Sequence, residues 1–435
     1  MESIPTQPWP LWRRIGFRFA FVYLVLSFNP ASFLEFIPGA YGVMQVLFSP
    51  IDWLTAWVNK HWLHIADPLV MPNGSGDTSY GWAVMYTYLM LAFVAGIVWS
   101  IADRKRPAYH QLHYWLCLLL RYTLLLACFS YGIQKVFALQ MPFPNMSQLA
   151  TPLGDFLPMR LSWMFIGYST PYQVFSGVAE VVAALLLLWR RTATLGALVA
   201  FGVMLNVAML NLSYDIPVKI YSIHLCFISA YLLWQERSRL IPFFLLNKPA
   251  MPSVLFEHQF ATKWKRISRV VAKSLFVLAS MGITIVSAMQ YREQVNAEIV
   301  KVLPPVKPDM YQVEWWVQNG DTVKTDYANA AHWKDIIFDY NGQGSINAVD
   351  SMFRIRYRRS YFAYLPDSTG TTLAFRKFAT DSAPLFTLQL QLPDSNSMLL
   401  KGKINADSVA IRLRRMHRHF QLAEKQFHWL SEANR

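Results

Sequence analysis

The chain has 435 residues, of which 54% are hydrophobic and only 15% are charged, and its formal net charge is +14. A soluble chain usually carries about 25% charged residues, so this composition excludes an ordinary soluble protein of this length. The basic residues lie in short segments between apolar runs and not on a soluble face. A nucleic-acid-binding protein is therefore not expected.

Seven apolar runs follow one another along the first two thirds of the chain. The first starts at Ile15 and ends at Phe28, and the others cover 82–101, 112–134, 173–189, 193–213, 217–234 and 270–290. Each comes close to the ~20 residues that a helix needs to cross a hydrocarbon layer of ~30 Å. None alternates with the period of a strand, and only helices or closed barrels can cross a bilayer. The sequence thus predicts an α-helical polytopic membrane domain over residues 1–295, with about seven transmembrane helices.

Basic residues occur in every second loop between these runs. They are Arg13 and Arg14 before the first run, Arg104, Lys105 and Arg106 before the third, Arg190 and Arg191 before the fifth, and a group from Arg237 to Arg269 before the seventh. Positive residues are retained on the cytoplasmic side of a membrane. The pattern therefore predicts a cytoplasmic N-terminus and an extracytoplasmic chain after about Gln290.

The pattern of the chain changes to period two from about residue 297. Segments 311–317, 353–357, 385–392 and 408–414 alternate between apolar and polar residues. Turn-forming residues such as Asn and Gly separate them, as antiparallel strands require. We expect about eight strands and an extracytoplasmic antiparallel β-barrel or sandwich over residues 297–435.

No motif in the sequence indicates a particular reaction. The three cysteines, Cys117, Cys128 and Cys226, all lie inside predicted spans and form no Cys-x-x-Cys, so neither a disulfide framework nor a dithiol relay is expected. No cluster of His, Cys and carboxylates has metal-ligand spacing, and no phosphate-binding loop or nucleophile motif is present. We predict no metal site and leave open whether the protein is an enzyme.

Several polar residues lie in or beside the predicted spans, where a charge is costly and usually functional. They are Arg121, Lys135, Glu180, Asn206, Asn211, Asp215, Lys219 and His224. Their depths predict one polar pocket that opens outward, with Asp77 and Gln140 at its mouth. Within it, Lys135 could pair with Glu180, and Lys219 with Asp215, which would lower the cost of burial.

Most of these residues also have a plainer interpretation. Lys135 and Lys219 could extend to the outer head groups of the lipids. Asn206 and Asn211 could join helices through hydrogen bonds without binding a ligand, and a lone buried histidine is usually just hydrogen-bonded. Glu180 near mid-span has no such alternative and needs a partner or a function.

Two motifs resemble those of the DoxX-like family of membrane proteins. Phe129-Ser-Tyr-Gly-Ile-Gln-Lys135 has a Gly and a Lys at the end of one helix, and Gly177-Val-Ala-Glu180 opens the next helix, which ends in a basic turn. The resemblance covers about 112–235. The flanking runs are similar to those of larger bacterial members with an added C-terminal domain, which implies a multi-pass protein of the bacterial plasma membrane.

The resemblance also implies candidate functions. Relatives include a subunit of a thiosulfate:quinone oxidoreductase, which implies a quinone-binding or redox accessory protein with a partner subunit for electrons. Lys135 would then donate to a quinone oxygen, and Glu180 would handle a proton. The alternatives are a membrane binding or transport protein for a small solute or lipid, and an envelope assembly factor without catalysis. A more distant likeness, of architecture alone, is to the membrane domain of vitamin K-dependent gamma-carboxylase-like proteins.

Overall fold

The computed structural model of the chain describes residues 8–30, 40–250, 252–253, 255–256, 262–299, 303–323, 333–424 and 429–430. Its contacts divide the chain into two compact units. The helical unit consists of Met1–Met141 and Ser169–Met289, and the second unit consists of Pro142–Tyr168 and Gln290–Arg435.

Helices dominate the first two thirds of the chain. In chain order, the α-helices are α1 (Leu11–Ser27), α2 (Ala40–Val58), α3 (Ser79–Ala102), α4 (His110–Val136), α5 (Met146–Leu149), α6 (Pro158–Tyr168), α7 (Thr170–Leu188), α8 (Ala193–Ser213), α9 (Lys219–Gln235), α10 (Arg237–Phe244) and α11 (Lys263–Ile299). A π-helical turn, Asn59–Leu63, extends α2.

Five of the described helices are long and apolar enough to cross a membrane, namely α3, α4, α7, α8 and the Lys263–Ala297 part of α11. They confirm the helical membrane domain that the sequence predicts, but the predicted number of about seven is too high by this measure. The first and sixth predicted spans do form helices, α1 and α9, of only 17 residues each. Such a helix is about 25 Å long, which is less than the ~30 Å of the hydrocarbon layer.

The core of the helical unit lies where α4 packs against α7. Leu120, Leu124 and Cys128 of α4 and Ala183 and Leu187 of α7 are fully buried there. α8 packs against both α7 and α9, and α1 packs against α3. The outward faces of the helices carry large exposed apolar side chains, as a surface in contact with lipid does.

The described residues of the second unit form ten β-strands. They are β1 (Asp309–Gln318), β2 (Asp321–Val323), β3 (Asp335–Phe338), β4 (Gln343–Ile346), β5 (Arg354–Arg356), β6 (Arg359–Pro366), β7 (Thr372–Arg376), β8 (Phe386–Asp394), β9 (Ser397–Ile404) and β10 (Asp407–Arg415).

Eight of these strands close into an antiparallel barrel. Their order is β1, β10, β9, β8, β7, β6, β4 and β3, and β3 pairs with β1 to close the ring. The short strands β2 and β5 pair with β1 and β6 outside it. Asn319 and Gly320 both have positive φ, 53° and 94°, as the two-residue turn between β1 and β2 requires. The structure thus selects the barrel from the two predicted architectures.

Side chains fill the interior of the barrel. Phe353, Phe362, Phe375 and Phe386 are buried there, and the ring centroids of Phe375 lie 5.2 Å from Phe362 and 5.0 Å from Phe386. Aromatic rings at such distances attract one another beyond the burial of their area. The barrel interior is therefore a packed core.

The segment Pro142–Tyr168, which precedes α7 in the sequence, packs on the outer face of the barrel. The Ser147 hydroxyl donates to Asp339 and accepts a 2.8 Å hydrogen bond from Ser345 Oγ, and the Met146 N–H donates to the other Asp339 oxygen at 3.0 Å. Burial raises the pKa of the Asp339 carboxyl, and the hydrogen bonds from Ser147 and Met146 counteract that rise. Arg359 completes the network by donating to Ser345 Oγ at 3.0 Å.

Candidate functional site

Lys135 and Glu180 form a buried ion pair between α4 and α7. Lys135 Nζ lies 2.7 Å from Glu180 Oε1 and 2.8 Å from Oε2, and the two side chains are 8% and 0% exposed. The pairing that the sequence predicts is therefore present. Because each charge neutralises the other and both carboxylate oxygens accept a hydrogen bond, the cost of burying the pair is reduced.

Two glycines allow this pair to form. Gly132 lies three residues before Lys135, and Gly177 lies three residues before Glu180. A Cβ atom on Gly132 would lie 2.9 Å from the Gly177 carbonyl oxygen, and one on Gly177 would lie 2.6 Å from the Gly132 carbonyl oxygen. Small residues let two helix backbones approach closely in a membrane. Residues three apart share a helix face, so the close crossing also brings Lys135 and Glu180 together.

A separate group of polar residues lies at the start of α9 and consists of Asp77, Asn211, Asp215 and Lys219. The Asp77 carboxylate accepts hydrogen bonds from the backbone N–H groups of Lys219, at 2.7 Å, and Ile220, at 3.0 Å, so it caps the helix. Lys219 Nζ lies 2.7 Å from Asp215 Oδ1, and this is the other pairing predicted from the sequence. The same nitrogen lies 3.7 Å from Asp77 Oδ2. Asn211 Nδ2 donates to the Val218 carbonyl at 3.4 Å. This group fixes the turn between α8 and α9.

His224 lies next to α1 and is part of neither group. Its Nδ1 is 2.7 Å from the Ile220 carbonyl oxygen, and its Nε2 is 2.5 Å from the Tyr23 hydroxyl. A neutral ring that donates from Nδ1 to the carbonyl accepts from Tyr23 at Nε2. His224 and Tyr23 line a cavity of about 570 Å³ with apolar residues of α1, α3 and α9. Asn206 is exposed on α8.

Arg121 lines a larger cavity of about 1050 Å³. The wall consists of parts of α1, α4, α8, α9 and α11 and of the segments that follow α7 and α10. It is mainly apolar, with Leu116, Tyr122, Leu232 and Phe276 among its residues. Arg121 lies 14 residues before Lys135, or about 21 Å along α4, so the middle of this helix and its C-terminal end lie at different sites. Neither Lys135 nor Glu180 lines either cavity.

The larger cavity contains further charged residues that were not predicted from the sequence. Lys273 of α11 donates from Nζ to the Leu188 carbonyl at 2.7 Å. Glu236, at the end of α9, accepts hydrogen bonds from Arg239 at 3.2 Å and from Ser253 at 2.8 Å. Lys273 falls inside the seventh predicted span, so an inventory of every charge within the spans would have found it.

The eight residues assigned to one outward-facing pocket thus lie in separate places. Lys135 and Glu180 join α4 to α7, and Lys219, Asp215 and Asn211 hold the start of α9. The remaining three residues are His224 beside Tyr23, Arg121 at the larger cavity and the exposed Asn206. Depth along each helix could be estimated from the sequence, whereas the helix that lies opposite each residue could not.

Another buried polar network, also not predicted from the sequence, joins α1 to the start of α4. Arg18 is 2% exposed and donates from Nε to the Tyr109 hydroxyl at 2.9 Å and from a terminal nitrogen to the Asp103 carbonyl at 2.8 Å. The Tyr109 hydroxyl in turn donates to the Asp103 carboxylate at 2.9 Å. The sequence does contain one indication of this network, because Arg18 is a charged residue within the first apolar run.

Comparisons with known proteins give one short similarity. No family model matches the chain, and no solved structure matches it significantly. The uncharacterized protein YwoB of Bacillus subtilis (strain 168) is 38% identical over 84 residues, which make up 19% of this chain and 54% of YwoB. The chain thus spans about half the length of the curated relative it matches, and that stretch is similar to a bacterial protein.

Proposed function

We propose that this chain is a membrane-embedded binding protein for a small molecule with an apolar tail, which occupies the larger cavity of the helical unit. The cavity volume of about 1050 Å³ is at the upper end of the ~300–1000 Å³ typical of ligand pockets. Its wall combines a mainly apolar lining with a few polar groups, as such pockets do. The observation that carries the proposal is Arg121, whose Nε is buried in this wall without a hydrogen-bond partner among the described residues.

Two ligand classes considered from the sequence have the chemistry that this cavity would bind. Quinones, which the DoxX-like resemblance implies, and lipids both have an apolar tail and a head group that accepts hydrogen bonds. In a redox accessory role, a partner subunit would supply the electrons. Lys135 and Glu180 then hold the helices together and do not contact the ligand, because each satisfies the other and neither lines the cavity.

Filling the cavity with an indole ring is expected to expel the ligand. Ser274 of α11 lines the cavity and is exposed. Ser274→Trp should reduce the amount of small molecule that co-purifies in mild detergent at least about tenfold, which corresponds to a binding penalty of about 1.4 kcal/mol. Mass spectrometry of the purified protein measures this amount.

Ser287→Trp is the matched control, because Ser287 is exposed on the same helix but does not line the cavity. We expect it to retain the ligand. Equal retention by both variants would show that the ligand binds elsewhere. An unmodified protein that carries no apolar-tailed molecule, and takes up none when one is added, would contradict the proposed function.

We place the protein in a bacterial plasma membrane, with a cytoplasmic N-terminus and an extracytoplasmic barrel. The location follows from the DoxX-like resemblance and the orientation from the alternation of basic loops. The segment Pro142–Tyr168 supports the orientation, because it follows α4 and packs on the barrel. The loop after α4 and the barrel therefore share one side of the membrane, and the basic loops assign both to the outside.

Cysteine labelling tests this orientation. Ser368, in the barrel unit, and Ser238, after α9, are both exposed. Ser368→Cys should react with a membrane-impermeant thiol reagent added to spheroplasts, whereas Ser238→Cys should react only after the membrane is opened. The unmodified chain gives the background of its three native cysteines. The reverse labelling pattern would invert the orientation.

A further inference from the structure

We propose that the ligand of the larger cavity carries an anionic head group, a carboxylate or a phosphate ester, which binds at Arg121 and Lys273. This inference rests on the proposed function and specifies the class of ligand. It follows from the position of two positive charges within apolar helical segments, from the absence of an acidic partner for them in the described residues, and from the small number of acidic groups in the cavity wall.

Both cations lie within apolar helical segments. Arg121 is eleven residues after His110, the first residue of α4, which is about 16 Å along the helix. Lys273 is three residues after Val270, where the apolar part of α11 begins, or about 4.5 Å along the helix. A charge within a membrane helix is costly, and such residues usually face a cavity and have a partner. Both residues do line the cavity.

The two cations approach the same aromatic ring. The Arg121 Cζ lies 5.3 Å from the centroid of the Tyr122 ring, and the Lys273 Nζ lies 5.9 Å from it. The ring gives each cation a modest electrostatic stabilisation but supplies no negative charge. Both positive groups therefore lie beside one aromatic ring of the wall.

No acidic side chain among the described residues forms an ion pair with Arg121 or Lys273. Lys273 donates to the Leu188 carbonyl, and Arg121 Nε has no described acceptor. The one acid among the lining residues is Glu236, which accepts hydrogen bonds from Arg239 and Ser253. Among the described residues, no carboxylate therefore neutralises Arg121 or Lys273, and the Leu188 carbonyl and the Tyr122 ring compensate their charges only in part.

The cavity wall holds more basic than acidic groups. Arg121 and Lys273 line it together with Glu236, and two further basic residues of the wall, Arg190 and Arg269, have interactions of their own. A neutral quinone could accept hydrogen bonds from Arg121 but would leave the charges of Arg121 and Lys273 in an apolar site. A carboxylate or a phosphate accepts the same hydrogen bonds, makes them charge-assisted and neutralises part of these two charges. The apolar wall then holds the tail.

Binding of tail-matched probes to the full chain in a neutral detergent tests the inference. The probes are hexadecanoic acid, hexadecyl phosphate, methyl hexadecanoate, a neutral quinone and inorganic phosphate, and native mass spectrometry measures the bound fraction. The two anionic amphiphiles should bind at least about tenfold more tightly than the neutral ester and the quinone. The better of the two identifies the head group. Inorganic phosphate alone should bind weakly, because it has no tail to bury.

The charge variants locate the head group. Arg121→Gln and Lys273→Gln should each remove most of the preference for the acid and leave binding of the ester within about twofold. Arg121→Lys should retain the preference, and so should Lys265→Gln, which neutralises a lysine of α11 that does not line the cavity. Melting temperatures of the variants establish that each is folded.

The outcomes separate this inference from the proposed function. Equal binding of acid and ester, or a preference that survives both glutamine variants, would overturn the anionic head group and leave the proposed function intact. Failure of all the tailed probes to bind would overturn both. A stronger response to inorganic phosphate than to the amphiphiles would point to a free anion and would also overturn the proposal.

Discussion

Lys135→Met is expected to lower the free energy of unfolding of the helical unit by about 3–5 kcal/mol, because it leaves the Glu180 carboxylate buried without its partner. Both oxygens of this carboxylate receive their hydrogen bonds from Lys135, and the Glu180 side chain is fully buried. The double change Lys135→Met with Glu180→Gln should recover much of the loss, since the orphaned charge is gone. Thermal melts in detergent of the two single variants, the double variant and the unmodified protein measure the coupling.

The Glu180 variants distinguish charge from packing. Glu180→Gln should be less destabilising than Glu180→Ala, because the amide oxygen can still accept a hydrogen bond from Lys135 and fills the same space. Strictly additive losses in the double variant would mean that the two residues do not interact. Recovery of stability without recovery of ligand binding would show that the pair also acts on the cavity, although it does not line it.

Gly177→Ala should be the most damaging alanine substitution at a glycine of α7 or α8, with a loss of about 1–3 kcal/mol or more. The added Cβ would lie 2.6 Å from the Gly132 carbonyl oxygen and 2.8 Å from both Lys135 Cβ and the Val136 nitrogen. Backbone atoms cannot yield as a flexible side chain does, so the helices must separate. That movement would also lengthen the Lys135–Glu180 bonds.

Gly202→Ala is the matched control in α8, because nothing lies within 4 Å of a Cβ at that position. It should be neutral or stabilise the protein by up to about 1 kcal/mol, the usual preference of a helix for alanine. The same melting experiment compares the two variants. Similar effects at Gly177 and Gly202 would mean that α4 and α7 do not cross closely at their glycines.

Much of the fold could be predicted, because single helices and half-exposed strands have strong local patterns. The four strands predicted at 311–317, 353–357, 385–392 and 408–414 correspond to β1, β5, β8 and β10. β3 has no such pattern, since all four of its residues are buried. A strand covered on both faces loses the alternation by which it would be recognised.

The site was harder to predict because its parts depend on neighbouring helices. Arg121, Cys128 and Lys135 follow one stripe of α4, as their spacing of seven indicates. Along this stripe the surroundings change from the cavity at Arg121 to the closed core at Cys128 and the crossing with α7 at Lys135. The spacing thus predicts a common face for the three residues, but Arg121 and Lys135, which were expected to share one pocket, lie in different surroundings.

The contact between the segment Pro142–Tyr168 and the barrel can form only late in the synthesis of this protein. Ser147 and its acceptor Asp339 are 192 residues apart in the chain. At about 5–20 residues per second, the ribosome needs about 10–40 s to proceed from one to the other. During that interval α7, α8, α9 and α11 are made, while the segment waits for the strands that will cover it. Any pause in translation between these positions lengthens the period in which Ser147 and its neighbours lack their partner. Because Asp339 follows all the described α-helices in the chain, the second unit can be completed only after those helices have been synthesised.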